Sequence, residues 1–321
     1  MNPVRMVFTF FWRLARNLIC LFPAGQRLLF PSEKLSQRFG PGDADYAWRV
    51  FASHVRKLRL AGFRSATSVL EVGPGRNLGT ALLWWCHLCG QTADKVQITC
   101  WDVFPNATPD NPGFWTDLAA SLLKVENLPD SGLDDGDLTK LRIVLAQVRS
   151  GVTLPVITYQ VMTIDQVAQQ PRRFDLVYSQ ACIEHVWFID AFWTKLAGLT
   201  TAGGWHGHRI DLADHGRRAT NYIEMLQWPD WAYWLTMRFI PGAINRWRAA
   251  DHLAKVQALG FQIQSEMREA DRPLPVPRSA LARPFRGLPE SELRTTALDI
   301  VARKLSLPQM PAFPFQEPLI P

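Results

Sequence analysis

The stretch that decides the fold is Val69-Leu70-Glu71-Val72-Gly73-Pro74-Gly75. Its apolar part has the length of a buried strand, and a helical pattern follows from about Asn77 to Cys89. The glycines after the strand let the backbone turn and approach a ligand closely, because no Cβ stands in the way. The acid before the first glycine would repel a pyrophosphate. The turn therefore predicts a binding loop for a ligand that carries positive charge.

Apolar runs of strand length alternate with helical patterns along the rest of the chain. The further predicted strands span 96–103, 155–161, 174–179, 205–212, 261–267 and 297–304. This alternation predicts a mainly parallel α/β sheet with helices on both faces, of the Rossmann-like kind. Such sheets bind ligands beyond the carboxyl ends of their strands, so we expect the functional residues there.

We predict three parts. Residues 1–62 form an N-terminal helical extension, 63–305 form the main domain, and 306–321 form a proline-rich tail. The main domain carries insertions at about 105–150 and 214–250. The second insertion is rich in aromatic residues and is either a lid or the hydrophobic core of a subdomain. Two local predictions are added to this division. Ser32-Glu33-Lys34 is predicted to start a helix, and residues 270–289 are predicted to form a proline-rich linker.

Composition limits the classes of partner. The 321 residues carry a net charge of +6 with a pI near 9.2, but the basic residues are scattered and no run of five occurs. We therefore expect no nucleic-acid partner and an ordinary basic surface. Five cysteines give no disulfide framework, which fits a reducing cytoplasm. The pair Cys86 and Cys89 lacks the second pair that structural zinc requires.

The N-terminal residues 5–22 predict an amphipathic helix. The longest uncharged stretch, Met6 to Trp12, is too short to span a bilayer, and Arg13 and Arg16 interrupt what would be the apolar core of a signal peptide. Phe, Trp and Leu opposite Arg are typical of a peripheral anchor, here at the inner face of the membrane. The alternative is a helix that caps the domain or contacts a partner subunit.

Several motifs, in order, resemble those of the class I S-adenosylmethionine-dependent methyltransferases, specifically the small-molecule enzymes called type 11. The loop at 70–75 resembles their glycine motif, and Asp102 matches their ribose-binding acid. Phe174 to Ser179 and the following Ile183-Glu184-His185-Val186 are similar to their fourth-strand motif. Leu298 to Lys304 resembles their last strand, which is antiparallel. The resemblance covers residues 66 to 305 and implies a seven-stranded sheet.

The resemblance also implies roles in cofactor binding. The glycine loop holds the amino-acid part of S-adenosylmethionine, Asp102 holds the ribose, and the segments after the second and third strands flank the adenine. Segments after the fourth strand lie under the methionine part and face the substrate. The implied cofactor-binding residues are Glu71, Gly73, Pro74, Gly75, Asp102, Val103, Val161, Met162, Ser179 and Gln180. The usual adenine-binding acid after the third strand is missing, and Asp165 is the nearest acid.

Methyl transfer to a hydroxyl requires removal of a proton, and histidine is the usual base near neutral pH. His185 follows the fourth strand, and His208, Asp211 and His215 lie along and after the fifth. Strand alternation places His208, Ile210 and Leu212 on one face, with Arg209 and Asp211 on the other. An Asp–His pair at the strand end would supply a base and its orienting partner. The alternative is a supporting Arg209–Asp211 network. We expect no metal, although His208, Asp211 and His215 have the ligand types for one.

The acceptor is expected to be a small or glycan-type molecule. The polar stretch around His208 and the stretch around Arg246 resemble those of bacterial methyltransferases linked to polysaccharide biosynthesis. Glu184, Arg246 and Arg248 are the predicted substrate-binding residues, because two guanidinium groups can bind an acidic acceptor. Two alternatives remain open: methylation of a macromolecule, and a non-catalytic scaffold that retains the cofactor fold.

Overall fold

The computed structural model describes residues 3–29, 44–76, 78–91, 95–270 and 273–305. Its longer helices are α1 (Pro3–Cys20), α2 (Pro23–Leu29), α3 (Ala44–Leu60), α4 (Gly79–Cys89), α5 (Phe114–Leu123), α6 (Asp135–Arg149), α7 (Ile164–Ala168), α8 (Ile189–Leu199), α9 (Asp230–Met237), α10 (Ala249–Ala258) and α11 (Glu290–Arg294). Its strands are β1 (Ser68–Val72), β2 (Gln97–Asp102), β3 (Ile157–Val161), β4 (Phe174–Gln180), β5 (Thr200–Asp211), β6 (Phe261–Glu269) and β7 (Ala297–Lys304).

The strands form a seven-stranded sheet in the order β3-β2-β1-β4-β5-β7-β6. The five strands from β3 to β5 pair in parallel, whereas β7 runs antiparallel between β5 and β6. The order reverses between β1 and β4, so the carboxyl ends of these two strands flank the expected ligand crevice. The predicted Rossmann-like sheet with an antiparallel last strand is confirmed.

Each face of the sheet is covered by its own hydrophobic cluster, because side chains alternate along a strand. On one face, Val69 and Tyr178 pack with helices α3 to α6. On the other face, Leu70 and Ile210 pack with α7, α8 and α10. Helix α3 thus belongs to the main core, with Phe51, Val55 and Leu58 completely buried.

A third cluster joins the insertion after β5 to the N-terminal helix. Its members include Tyr222, Trp228 and Tyr233 of the insertion, with Phe10 of α1 packed against them. Helix α1 lies on α9 through many residue contacts. No helix within the described ranges is long and apolar enough to cross a membrane.

Two local predictions differ from the structure. Residues 273–288 do not form a free linker, because Leu274, Phe285 and Leu281 pack into the third cluster and two 3-10 turns shape the segment. Strand β5 begins at Thr200, so Gly203-Gly204 lies inside it, where the pairing with β4 shifts register. The aromatic insertion contains α9 and buries Trp228 and Tyr233. The predicted helix start at 32–34 and the tail at 306–321 lie outside the described residues.

Candidate functional site

A cavity of about 450 Å³ opens beyond the carboxyl ends of β1, β2 and β4. Gly73, Asp102 and Val103 line it from the first two strands, and Cys182 and His185 line it from the segment after β4. The segment 238–243 and Gln26 of α2 close the opposite wall. The cavity therefore occupies the position that parallel sheets use for ligands, and α2 contributes one residue to its wall.

The glycine loop approaches the segment after β4 too closely for any other residue at its first glycine. Gly73 has a φ of +68°, and a Cβ there would lie 2.4 Å from Sγ of Cys182. The Gly73 amide donates to the carbonyl of Trp101 at 2.8 Å, which ties the loop to the end of β2. Gly75 also has a positive φ, +75°. Among the described residues, Pro74 and Gly75 do not line the cavity.

Asp102 ends β2 with a carboxylate that is 8% exposed and borders the cavity. The Phe104 amide donates to Oδ1 and the Asn106 side chain to Oδ2, both at 3.1 Å. Burial raises the pKa of Asp102 above its usual value. A carboxylate oxygen can accept more than one hydrogen bond, so both oxygens of Asp102 can still accept one from a ligand hydroxyl. Val103 follows it and presents a half-exposed apolar side chain to the same cavity.

Glu71 lies behind the glycine loop rather than in the cavity wall. It is 5% exposed, and the Cys100 thiol donates to its Oε2 at 3.6 Å. Burial raises the pKa of Glu71 to about 7. A carboxyl group with this pKa gains a partner, and ionises more readily, when a cationic ligand arrives.

The segments after β3 and β4 place other residues at the cavity than those predicted. After β3, the lining residues are Thr163 and Ile164, two positions beyond Val161 and Met162. Met162 instead accepts a hydrogen bond from the Trp101 indole through its backbone carbonyl. The last two predicted cofactor-binding residues are Ser179 and Gln180. Ser179 hydrogen-bonds to His208 and Gln180 to His54, and neither lines the cavity.

His208 is 2% exposed and lies between the sheet and α8. Its ring bonds to Ser179 at 2.8 Å and to His206 at 3.1 Å, and His206 continues to Thr200 at 2.7 Å. Burial lowers the pKa of His208 well below the usual range. The predicted alternation along β5 is confirmed. It points the His208 side chain into this buried row of hydrogen-bonded side chains and away from the cavity. Its neighbour Arg209 pairs with Asp299 and Glu269, not with Asp211.

The other predicted catalytic residues come together at the cavity wall. The rings of His185 and His215 lie 5.1 Å apart, and Nε2 of His215 lies 3.3 Å from Oδ2 of Asp211. Oε1 of Glu184 lies 4.0 Å from Nε2 of His185. Burial raises the pKa of Glu184 well above its usual value. The structure thus brings His185, His215 and Asp211 together and adds Glu184.

The two predicted substrate-binding arginines are built into the protein. Arg248 is 2% exposed and donates to three backbone carbonyls, those of Leu212, Glu292 and Thr295. Arg246 donates to the Trp228 carbonyl, pairs with Asp230 and lies over two aromatic rings. Neither lines the cavity, so the structure gives both guanidinium groups the role of holding the insertion and α10 in place.

Sequence patterns missed several cavity residues. Trp101 and Phe192 supply apolar surface, and residues 240–243 form the wall between the cavity and a second one of about 120 Å³ that is lined by His215. Asn245 fixes the turn at 183–186 by donating to the carbonyls of Ile183 and Val186. The strand-end position of Trp101 is a signal that could have indicated its role. The others depend on distant packing.

No protein-family model matches the chain, and no curated protein matches it in sequence. Solved structures of similar shape include an S-adenosylmethionine-dependent methyltransferase from Mesorhizobium loti, 16% identical over 77% of this chain and 96% of that one, with a TM-score of 0.38. Another is magnesium protoporphyrin IX methyltransferase from Synechocystis PCC 6803 with bound S-adenosylhomocysteine, 12% identical over 80% and 82%, with a TM-score of 0.41. These values indicate a distant likeness.

The order of the strands is a stronger observation than these scores. The motifs implied seven strands with an antiparallel last strand, and the structure shows a parallel sheet that reverses between β1 and β4, with the antiparallel β7 between β5 and β6. The glycine loop and Asp102 lie at its switch point, where this class of sheet holds its ligand. The chain has the Rossmann-like fold of the class I S-adenosylmethionine-dependent methyltransferases.

Proposed function

We propose that this protein transfers the methyl group of S-adenosylmethionine to a hydroxyl of an acceptor that enters the cavity. The observation that carries the proposal is the meeting of Gly73, Asp102 and Val103 at one cavity beyond β1 and β2. When bound, the cofactor supplies a methyl group on a positively charged sulfur. The enzyme must align the acceptor with that methyl and keep water away.

The residues present fit this cofactor. The loop at Gly73 leaves a cradle that a Cβ would fill, and Asp102 can accept hydrogen bonds from ribose hydroxyls. Val103 and Ile164 offer apolar surface for the adenine. The buried carboxyl group of Glu71 lies behind the glycine loop, where its negative charge would attract the ammonium group. Trp101 and Phe192 stack with their ring centres 6.0 Å apart and exclude water from the cavity floor.

The acceptor is proposed to carry its hydroxyl on an apolar body, such as a glycan or alcohol attached to lipid. Most of the cavity lining is apolar, including Val186, Trp187 and Phe239. A free sugar would leave its hydroxyls unpaired against such walls, at a cost for each one. Of the group formed by Glu184, His185, Asp211 and His215, His185 is the member that lines this cavity. We therefore expect the reacting hydroxyl to point toward His185.

Calorimetric titration of the purified chain tests the cofactor. We expect S-adenosylmethionine to bind with one-to-one stoichiometry and NAD not to bind. Asp102→Ala should weaken the binding of S-adenosylmethionine at least tenfold, because the ribose loses its acceptor, whereas Asp110→Ala in the following exposed loop should not. Binding of NAD, or unchanged affinity in Asp102→Ala, would contradict the proposal. Release of S-adenosylhomocysteine with lipid-linked alcohols tests turnover, and tight binding without any turnover would favour a scaffold.

We also propose that α1 and α2 rest on an anionic membrane from which the acceptor is taken. The exposed apolar side chains of α1 recur at helical spacing and lie on one face: Val7, Phe8, Phe11, Trp12, Leu18 and Ile19. Phe8 is 72% exposed and Trp12 58%. An uninterrupted exposed face of this kind is unusual on a monomer and is typical of helices that lie in the membrane interface.

The apolar surface continues beyond α1 and reaches the cavity. Leu21, Phe22 and Leu28 are exposed at and around α2, and Trp231 and Trp234 are exposed on α9. The rings of Phe10 and Trp231 lie 5.7 Å apart, which joins α1 to α9. Because Gln26 and Arg238 line the cavity next to these helices, an acceptor embedded in the membrane would reach it without crossing water.

Charge favours a bilayer over an apolar protein partner. Residues 3–29 contain no acidic residue, and they contain Arg5, Arg16 and Arg27 besides Arg13, which pairs with the buried Glu224. Basic residues beside an apolar helix face add attraction to anionic headgroups, each contributing about 1 kcal/mol near the surface.

Co-sedimentation with vesicles tests the membrane proposal. The full chain should bind vesicles of phosphatidylglycerol and phosphatidylethanolamine, and bind phosphatidylcholine vesicles less. Phe8→Ser combined with Trp12→Ser should lower the bound fraction severalfold. The exposed pair Val152→Ser and Leu154→Ser, which follows α6, is the matched control and should have no effect. Equal binding by both double variants would overturn the proposal, as would unchanged binding after residues 1–29 are deleted.

A further inference from the structure

We propose that Glu184, His185 and His215 form a site for a divalent transition metal such as Zn²⁺ at the cavity wall. One ligand atom from each of these side chains lies within 4.8 Å of the other two. Two histidines and one carboxylate are a donor set of catalytic zinc sites, which keep a further position open for water or substrate. The site follows from this geometry, whereas its role in catalysis rests on the proposed methyl transfer.

Glu184 gives an independent indication of a cation site. Its side chain is 1% exposed, and no side chain in the part of the chain that the structure describes donates a hydrogen bond to either carboxylate oxygen. A buried carboxylate without a cationic partner costs several kcal/mol, which ordinary packing does not offset. A metal ion that binds these oxygens removes the cost.

Both histidines are oriented as metal ligands usually are. Nδ1 of His185 donates to the carbonyl of Ala243 at 3.2 Å, and Nε2 lies on the Glu184 side of the ring. One ring nitrogen of His215 donates to Asp211, at 3.3 Å. Histidine ligands typically donate their second ring nitrogen to a carbonyl or carboxylate in this way, which fixes the ring and its tautomer.

The site is held firmly on one side and loosely on the other. Asn245 clamps the turn of Glu184 and His185, since its amide donates to the Glu184 carbonyl at 2.5 Å and its side chain donates to the same turn. His215 lies in the exposed loop after β5. Ligand atoms about 2 Å from zinc lie roughly 3.3 Å apart, whereas these atoms lie up to 4.8 Å apart, so the loop and the side chains of the turn would each have to move by about one to two ångström to complete the site.

A cation at this position would activate the acceptor. A hydroxyl whose oxygen binds a divalent metal loses its proton more easily, and here the proton passes to water. The acceptor oxygen then forms a bond to the methyl carbon while the carbon–sulfur bond breaks and leaves its electrons on sulfur. His185 borders the cavity and His215 the smaller neighbouring cavity, so the metal would lie at the wall that separates them.

Metal binding is tested on the full chain without cofactor or acceptor. After treatment with a chelator, the protein is titrated with Co²⁺, whose visible absorption reports its ligands, and then with Zn²⁺. We expect one equivalent of Co²⁺ to bind and Zn²⁺ to displace it. Glu184→Gln and His215→Ala should each weaken Co²⁺ binding at least tenfold. Thr220→Ala, an exposed change in the same loop as His215, should leave the affinity unchanged.

Thermal unfolding separates loss of the site from loss of the fold. Without metal, Glu184→Gln should be at least as stable as the wild type, because an amide is cheaper to bury than a carboxylate. Zn²⁺ should raise the Tm of the wild type and of Thr220→Ala but not of Glu184→Gln. Equal Co²⁺ affinity in the wild type, Glu184→Gln and His215→Ala would overturn the proposal, and so would failure of the wild type to bind Co²⁺. Titration with S-adenosylmethionine alone tests the proposed function separately.

Discussion

Glu71 is a carboxyl group that the fold buries at the end of β1. Burial raises its pKa from 4.5 to about 7. The folded chain therefore holds this proton more tightly than the unfolded chain does. The group contributes stability that is fully present below pH 4.5 and is lost as the pH rises to about 7. A shift of this size corresponds to about 3 kcal/mol.

Glu71→Gln should remove this dependence. The free energy of unfolding of the variant minus that of the wild type should be up to about 3 kcal/mol larger at pH 8 than at pH 4.5, because an amide does not ionise. Urea unfolding at the two pH values measures the change. Affinity for S-adenosylmethionine should fall at pH 8 at the same time, since the negative charge behind the glycine loop, which attracts its ammonium group, is gone. A variant that is equally destabilised at both pH values would show that burial of the carboxylate carries no such cost.

Gly73→Ala should combine two separate costs. A residue with a side chain at a φ of +68° is strained by about 1 kcal/mol or more, and its Cβ would also meet Sγ of Cys182 at 2.4 Å. We expect a loss of about 3 kcal/mol or more in urea unfolding and no measurable cofactor binding. Gly151→Ala is the matched control, since Gly151 has a φ of +72° with nothing within 4 Å. The loss in free energy of unfolding should be larger for Gly73→Ala than for Gly151→Ala, because only the first creates the clash. Adding Cys182→Ala to Gly73→Ala should recover part of that difference.

At the scale of elements, the attachment of α1 decides how the cavity is bounded. Asn17 is 3% exposed, and its side chain donates to the Leu235 carbonyl at 2.9 Å and accepts from the Phe239 amide at 2.7 Å. Arg13 pairs with the buried Glu224 at 2.7 Å. One face of α1 therefore bonds to α9 and to the cavity wall, while the opposite face carries the exposed apolar residues.

Asn17→Ala should loosen α1 without unfolding the sheet. Two part-buried backbone groups lose their side-chain partner, at a cost of about 1 kcal/mol each. Amide hydrogen exchange in α1 should become at least tenfold faster, and trypsin should cleave at Arg13 and Arg16 sooner. Leu18→Ala, an exposed change on the same helix, serves as the control. If exchange in α1 is the same in both variants, Asn17 does not hold the helix.

At the scale of the whole molecule, histidines are distributed through the interior as neutral groups. Burial lowers the pKa of His54 and His87 to about 4 and the pKa of His206 and His252 to about 3. All four titrate near 6.5 in the unfolded chain. Each therefore contributes stability that is present above pH 6.5 and is lost as the pH falls toward the folded pKa.

The chain should consequently be sensitive to acid. Each of the four shifts corresponds to about 3 kcal/mol or more, which together match the whole stability of an ordinary domain. They outweigh the opposite effect of the buried acids whose pKa is raised, Glu71, Asp102 and Glu184 among them. The urea midpoint should fall steeply between pH 6.5 and 4.5, and His87→Asn should reduce that slope. A midpoint that is constant or rises in this range would contradict the prediction.

The sequence by itself determined the sheet, the glycine loop and the strand-end acid. The alternation of His208, Ile210 and Leu212 was predicted correctly, and so was the position of Asp102 at the end of β2. These features depend on residues close together in the chain, where the period of a strand and the backbone freedom of glycine act directly. Parallel strands then bring their carboxyl ends to one edge, whatever the remaining side chains do.

Only the tertiary structure decided which polar side chains meet. It placed His185 beside His215, 30 positions later, buried His208 against Trp193 and enclosed Arg248 among backbone carbonyls. It also packed residues 273–288, predicted as a linker, into the third cluster. The reason is physical: a polar side chain must find its partners wherever packing brings them, and those partners lie far away in the sequence.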